Sequence, residues 1–195
     1  RQQIKNLPKS SGALVFYGAI SRADLPVNCP NHLQIFHEHL GSLFISISVD
    51  GDKRAPIGMA TLIASVFTDI DNWSNLESET YLSKKAFLSV QILNILNSKL
   101  HLSDKSWLHK ELATPRSFER WTRRPAGIVG GLGQHPSQFG PFGLSSRSPL
   151  DGLWLRGDSI YPGEGTAGVS QSALMVSRQL MAAKGRRLDV PILSR

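Results

Sequence analysis

The 195-residue sequence predicts a mixed α/β (α+β) protein, and three patterns carry that prediction. Four apolar or alternating runs, separated by short turn signals, lie ahead of Asp69. A long segment with helical spacing follows at Asn75–Leu100. A glycine-rich turn then opens a second helix near Gly165.

The runs read as strands of a mainly antiparallel sheet, since short turns join neighbouring strands only in that arrangement. Ala13–Ile20 is apolar and stops at the turn-like Ser21–Pro26. His32–His37 alternates loosely. In Ser42–Val49, Leu43, Ile45, Ile47 and Val49 fall on one face and Phe44, Ser46 and Ser48 on the other. Asp50-Gly51-Asp52 is a turn signal, and Met59–Phe67 is the fourth strand. Over Asn75–Leu100, residues such as Leu88, Ile92, Leu96 and Leu100 recur at i, i+3, i+4, which predicts a helix packed on the sheet. Asn75 or Ser78 would cap it, and Glu77 and Glu79 suit the positive end of its dipole. Trp107–Leu112 is a further short strand, halted at Thr114-Pro115.

Beyond Pro115 the character changes. Arg116–Arg123 reads as a short helix. Gly127–Gly143 holds six glycines and two prolines, so no regular element runs through it. Leu153–Arg156 reads as a short strand. A helix from Gly165 or Thr166 to about Ala183 places Val169, Ala173, Val176 and Leu180 on its apolar face.

Composition narrows the function classes. Apolar residues are 41% and charged residues 19% of the chain, enough apolar material for a core and against wholesale disorder. No apolar run approaches the roughly 20 residues of a membrane span. A single cysteine, Cys29, excludes an internal disulfide and any cysteine-rich zinc site. The net charge is +7, and residues 101–195 carry thirteen Lys/Arg against seven Asp/Glu. That basic, glycine-rich half points to an anionic partner: nucleic acid, a phosphate-bearing cofactor or an anionic membrane.

Gly163-Glu164-Gly165-Thr166-Ala167-Gly168 fits G-x-G-x-x-G, where glycine backbone and a helix N-terminus approach an anion. A first Rossmann turn is not expected, since the acid at about the right distance, Asp189, is followed by only six residues of this sequence, too few for a second strand. On residues alone, an ordinary glycine-rich turn into a helix fits equally well.

The wider context separates the two. Ala113–Arg120, Gly127–Gly131, Gln138–Gly143 and above all Gly152-Leu153-Trp154-Leu155-Arg156-Gly157-Asp158-Ser159, followed by Pro162–Val169, closely resemble the C-terminal part of the carotenoid desaturase and isomerase family. This is a branch of the FAD-dependent amine-oxidase-like superfamily, with a Rossmann-like FAD-binding domain. Weaker resemblance reaches back to Ala13. Pro162–Ser170 and Gly140–Gly143 look most like the cyanobacterial 3',4'-desaturase branch.

The resemblance implies FAD as cofactor and a long polyene as substrate. It implies that Asp158 accepts hydrogen bonds from the ribityl hydroxyls and that Gly157 lets the chain pass close to the cofactor. The backbone at Gly165, Thr166, Ala167, Gly168 and Val169 would face the pyrimidine end of the flavin. Gly130, Gly131 and Gly133, with His135, would border the flavin or the substrate passage. Residues 1–114 would form a substrate region, its walls drawn from the Ser42–Val49 strand and the Asn75–Leu100 helix, and residues 115–195 the end of the FAD-binding domain. The family's N-terminal dinucleotide unit has no counterpart here, and the chain opens on Arg1. Peripheral membrane association follows from the substrate, in a bacterial cytoplasm or a plastid. No catalytic residue is assigned.

The remaining residues support other chemistry poorly. His32, His37 and His39 lack partnering carboxylates or cysteines, and no metal site is expected; His101 and His109 read as structural. Cys29 has no setting that would lower its pKa. No G-x-S-x-G elbow marks a hydrolase. Arg116, Arg120, Arg123 and Arg124, with Phe118 and Trp121, form a basic cluster that offers a non-catalytic nucleic-acid or membrane-binding module as the alternative class.

Without a unit for the ADP half of FAD, the purified 195-residue chain is expected to show no flavin absorbance. Stoichiometric FAD copurifying with it would overturn that expectation.

Overall fold

A computed structural model describes residues 9–133 and 142–188. The chain divides into two compact units, Ser11–Val129 and Gly130–Arg195 with Arg1–Ser10.

In the Ser11–Val129 unit the alternating runs do form strands. β1 (Ser11–Ser21), β2 (His32–His37), β3 (Gly41–Ile47), β4 (Met59–Asp69) and β5 (Trp107–Ala113) make one antiparallel sheet in the order β2-β3-β4-β1-β5. β1 is paired with β4 along its whole length, from Ser11 opposite Asp69 to Ser21 opposite Met59. Register fixes which side chains share a face. Leu43, Ile45 and Ile47 of β3, Leu62, Ala64 and Val66 of β4 and so Leu14, Phe16 and Ile20 of β1 are buried in one core cluster.

Helix α1 (Ser78–Leu100) contributes Ile92, Leu96 and Leu100 to that cluster. Its N-cap is Glu77, whose side chain makes no cap bond, so neither Asn75 nor Ser78 plays that role. Its end is set by His101, which takes a left-handed conformation at φ 53°. Val49 departs from the expected face and is exposed, because β3 leaves the sheet after Ile47. The turn that follows is held by Asp52, whose Oδ1 accepts from the Arg54 N–H at 2.9 Å. The paired Arg54 side chain holds the exposed Asp52 carboxyl below its usual range.

One close approach shapes the centre of the sheet. A methyl on Gly18 would stand 2.9 Å from Cε3 of Trp107, so glycine there makes room for the indole. Trp107 meets Phe16 edge-on at 5.5 Å and donates to Asn97 Oδ1 at 2.7 Å, which ties β5 to α1.

Helix α2 (Pro115–Thr122) opens on a reciprocal capping box between Thr114 and Ser117. Thr114 is fully buried and its Oγ1 lies 3.0 Å from the Tyr81 hydroxyl of α1. Val129 then bridges to Ser11, donating at 2.9 Å. Residues 115–129 are thereby packed in the sheet unit, past the sequence-expected boundary at 114/115.

Among its described residues the other unit holds one long helix, α3 (Gly165–Ala183). The strand expected at Leu153–Arg156 is reduced to a single bridge, Trp154 to Arg147. Gly152 (φ 78°) and Gly157 (φ 124°) bend the chain on either side of it. The buried face of α3 is Ser172 and Val176, while Leu180 is exposed.

Leu96→Ala is expected to cost about 2–5 kcal/mol, the range for emptying a closed core site. Val90→Ala, on the exposed side of the same helix, is expected to stay within about 0.5 kcal/mol. Denaturant unfolding of the two variants checks the contrast.

Candidate functional site

The residues singled out by the motif lie in the Gly130–Arg195 unit, and four short stretches of it converge. The first is the turn at Gly130-Gly131-Leu132. The second is Gly157-Asp158-Ser159. The third is the bend Pro162-Gly163-Glu164, entered through a cis Tyr161–Pro162 peptide. The fourth is the first turn of α3.

Backbone contact joins the first two. A methyl on Gly131 would stand 2.7 Å from the Ser159 nitrogen, so only glycine lets the two chains lie this close. Leu132 N–H donates to Ser159 Oγ at 3.2 Å, and Ser159 Oγ–H donates to Asp158 Oδ1 at 3.3 Å. The Ser159 hydroxyl therefore links the glycine turn to the Asp158 carboxylate.

Ser172 joins the second stretch to α3. Its hydroxyl, fully buried in the helix, accepts from Gly157 N–H at 3.2 Å. The bend is pinned by Gly163 N–H donating to Ile160 O at 2.9 Å, and by Gly168, where a methyl would fall 2.5 Å from the Gly163 carbonyl oxygen. The third glycine of the motif thus serves close packing of helix on loop. Thr166 and Ala167 are exposed, and Val169 is half-buried.

The first turn of α3 carries no acidic residue, and its N-cap, Glu164, makes no side-chain cap bond. The Glu164 carboxylate turns to Gly130 instead, with Cδ 3.0 Å from where a methyl on Gly130 would stand. Beside Gly157 and Gly165 there is open space, with no atom within 4 Å of a built methyl.

Gly157, Asp158 and Gly165–Val169, which the sequence resemblance sets against a cofactor, lie in one compact unit with Gly130 and Gly131. His135 lies outside the described residues. Ser172, Ser159 and Glu164 were not among the expected site residues. Ser172 had a faint signal: a small polar residue three after Val169 and four before Val176, on the inward stripe.

Within the basic cluster Arg116 is turned to partners of its own, while Arg120 and Arg123 are exposed. Arg116 donates to the Leu76 carbonyl and its guanidinium sits 4.4 Å over the Tyr81 ring, so it serves as a clamp between α1 and α2. Arg120 lies over the 78% exposed Trp121. The two-residue spacing of His37 and His39, which in a strand would set both on one face, does not do so here; β2 ends at His37, whose Nδ1 accepts from the backbone N–H of His39 and Leu40. His32 stacks on Phe44, and among the described residues no three His, Cys, Asp or Glu gather where they could hold a metal ion. Burial pushes the Cys29 thiol up, away from reactivity.

The sheet offers a second surface of interest. β3 and α1 pack their apolar faces on each other, so neither presents that face as a wall. The opposite sheet face carries exposed Tyr17, Phe36, Phe44, Met59, Ile63 and Phe67, with Ile63 registered against Tyr17. No helix of the described residues is long and apolar enough to cross a membrane.

Comparison with known proteins finds no matching family model. The chain is 31% identical over 156 residues to the chloroplastic prolycopene isomerase of Daucus carota, covering 78% of this chain and 25% of the relative. It is 32% identical over 166 residues to the Arabidopsis thaliana prolycopene isomerase, covering 80% and 27%. A prolycopene isomerase of an Oncidium hybrid cultivar is 30% identical over 78% of this chain. The chain thus spans about a quarter of the length of the curated relatives it matches. These similarities support the carotenoid-enzyme family that the motifs point to, and they do not favour the 3',4'-desaturase branch.

Ser172→Ala removes the acceptor of the Gly157 N–H, and a loss of about 1 kcal/mol is expected. Amide hydrogen exchange should quicken at Gly157 and stay unchanged in β1 and β4. Equal exchange at Gly157 in both proteins would refute the anchoring role.

Proposed function

We propose that this chain is part of an FAD-dependent oxidoreductase of the carotenoid desaturase and isomerase family, acting on a long polyene. The observation that carries the reading is the convergence of Gly130-Gly131, Asp158-Ser159 and the first turn of α3 in one unit. A glycine-lined gap beside a helix N-terminus, with a carboxylate next to it, fits a cofactor with hydroxyl donors at one end and developing negative charge at the other.

Each residue has a part in holding such a group. Asp158 would accept from the cofactor's hydroxyls, oriented by Ser159. The open side of Gly157 and Gly165 admits the ring system. The N–H groups of Thr166, Ala167 and Gly168, at the start of α3, favour negative charge at its end. FAD, when bound, supplies a two-electron acceptor for a polyene C–C bond. The chain's own contribution is binding, orientation and electrostatics. The partly exposed second face of the sheet, with Tyr17, Phe44, Ile63 and Phe67, offers an apolar wall of the kind a hydrocarbon requires.

A second reading is compatible with the names of the relatives. They are prolycopene isomerases, so cis–trans isomerisation with no net change in the substrate's hydrogens competes with desaturation. Their chloroplastic designation suits a plastid location. Peripheral contact with a bilayer fits exposed Leu82, Phe87 and Val90 on α1.

The test uses the protein with its full natural flanking sequence. Asp158→Ala is expected to lower flavin content, read by absorbance against protein, by about tenfold or more, since a hydrogen bond to a charged group is worth roughly 1.5–3 kcal/mol. Unchanged flavin content would reject the role given to Asp158.

A further inference from the structure

Glu164 stands where a helix cap would stand and does not cap. Its backbone is extended, at φ −79° and ψ 176°, and its side chain accepts no N–H from the first turn of α3. The carboxylate instead fills the space over Gly130 that any other residue's side chain would occupy. It is thereby held between the helix start and the glycine turn whose next residue, Gly131, backs onto Asp158-Ser159. Neither capping nor core packing accounts for the placement, since Glu164 is exposed.

From this geometry we infer that Glu164 tunes the electron affinity of the bound cofactor rather than holding it. The inference rests on the cofactor reading proposed above. A negative charge beside the N-terminus of α3 offsets part of the helix's positive end. A group that gains negative charge on reduction is then stabilised less by that helix, and its reduction potential is lower than the helix alone would set. Glu164 acts through the helix field and is a positioning charge, not a catalytic residue.

The experiment compares the flanked protein with Glu164→Gln, Glu164→Asp and Asp158→Ala. Glu164→Gln is expected to keep its flavin and its melting temperature. Its reduction equilibrium should move about tenfold toward the reduced form, about 30 mV more positive for a two-electron couple. Glu164→Asp, which keeps the charge, should stay near the unsubstituted protein. An unchanged or more negative potential in Glu164→Gln overturns the inference. So does loss of its flavin, which would make Glu164 a binding residue. Absence of flavin from the unsubstituted protein overturns the cofactor reading itself, and this inference with it.

Discussion

One helix can cover only one face of a sheet, and the Ser11–Val129 unit is organised by that limit. α1 buries Ile92, Leu96 and Leu100 against the face formed by Leu43, Ile45, Leu62 and Phe16. The other elements lock this pairing in place. Trp107 fits over Gly18 and reaches Asn97, Tyr81 meets Thr114, and Arg116 clasps the Leu76 carbonyl. The bonds to Asn97, Tyr81 and Leu76 join the helix, or the turn leading into it, to β5 or to the segment that follows β5. The position of α1 is therefore fixed at both ends, and the second face of the sheet is left to something other than this helix.

The Gly130–Arg195 unit depends on backbone proximity more than on side-chain burial. Gly131 against Ser159, and Gly168 against Gly163, allow two main-chain segments to lie where a methyl group would force them apart. The hydroxyls of Ser159 and Ser172 then use that proximity, each giving or receiving a bond from a glycine-rich strip. Such a scaffold presents N–H groups and open volume rather than an apolar lining. That distinguishes it chemically from the sheet, whose free face is aromatic and aliphatic. Close-packed polar backbone and exposed apolar surface thus fall to different parts of the chain.

Most of the sheet was legible because alternation is a local property. Leu43, Ile45 and Ile47 declare their face by spacing alone, and β3 and β4 follow from it. Val49 misled because the strand ends two residues before it, and an end is set by pairing, not by hydropathy. Leu153–Arg156 looked like a strand for the same reason; Gly152 and Gly157 leave room for one bridge only. In the candidate site, Asp158 and the glycines were visible as a motif. Ser172 and Glu164 were not, because what defines them is a neighbour 15 residues away in one case and 34 in the other. The Arg116 cluster shows the converse: adjacency in sequence suggested a shared surface, and the fold turned its first member inward.

The bare sheet face bears on how the chain behaves in water. Phe36, at 81% exposure, and Phe67, at 70%, are aromatic surface held out to solvent beside Phe44 and Ile63. Apolar patches of this kind drive molecules together, and the repulsion opposing them is the +7 net charge. That repulsion weakens as the Debye length shrinks, from about 10 Å at 0.1 M salt to about 3 Å at 1 M. Rising ionic strength therefore weakens the repulsion that opposes contact between such faces, and dilute buffer preserves it.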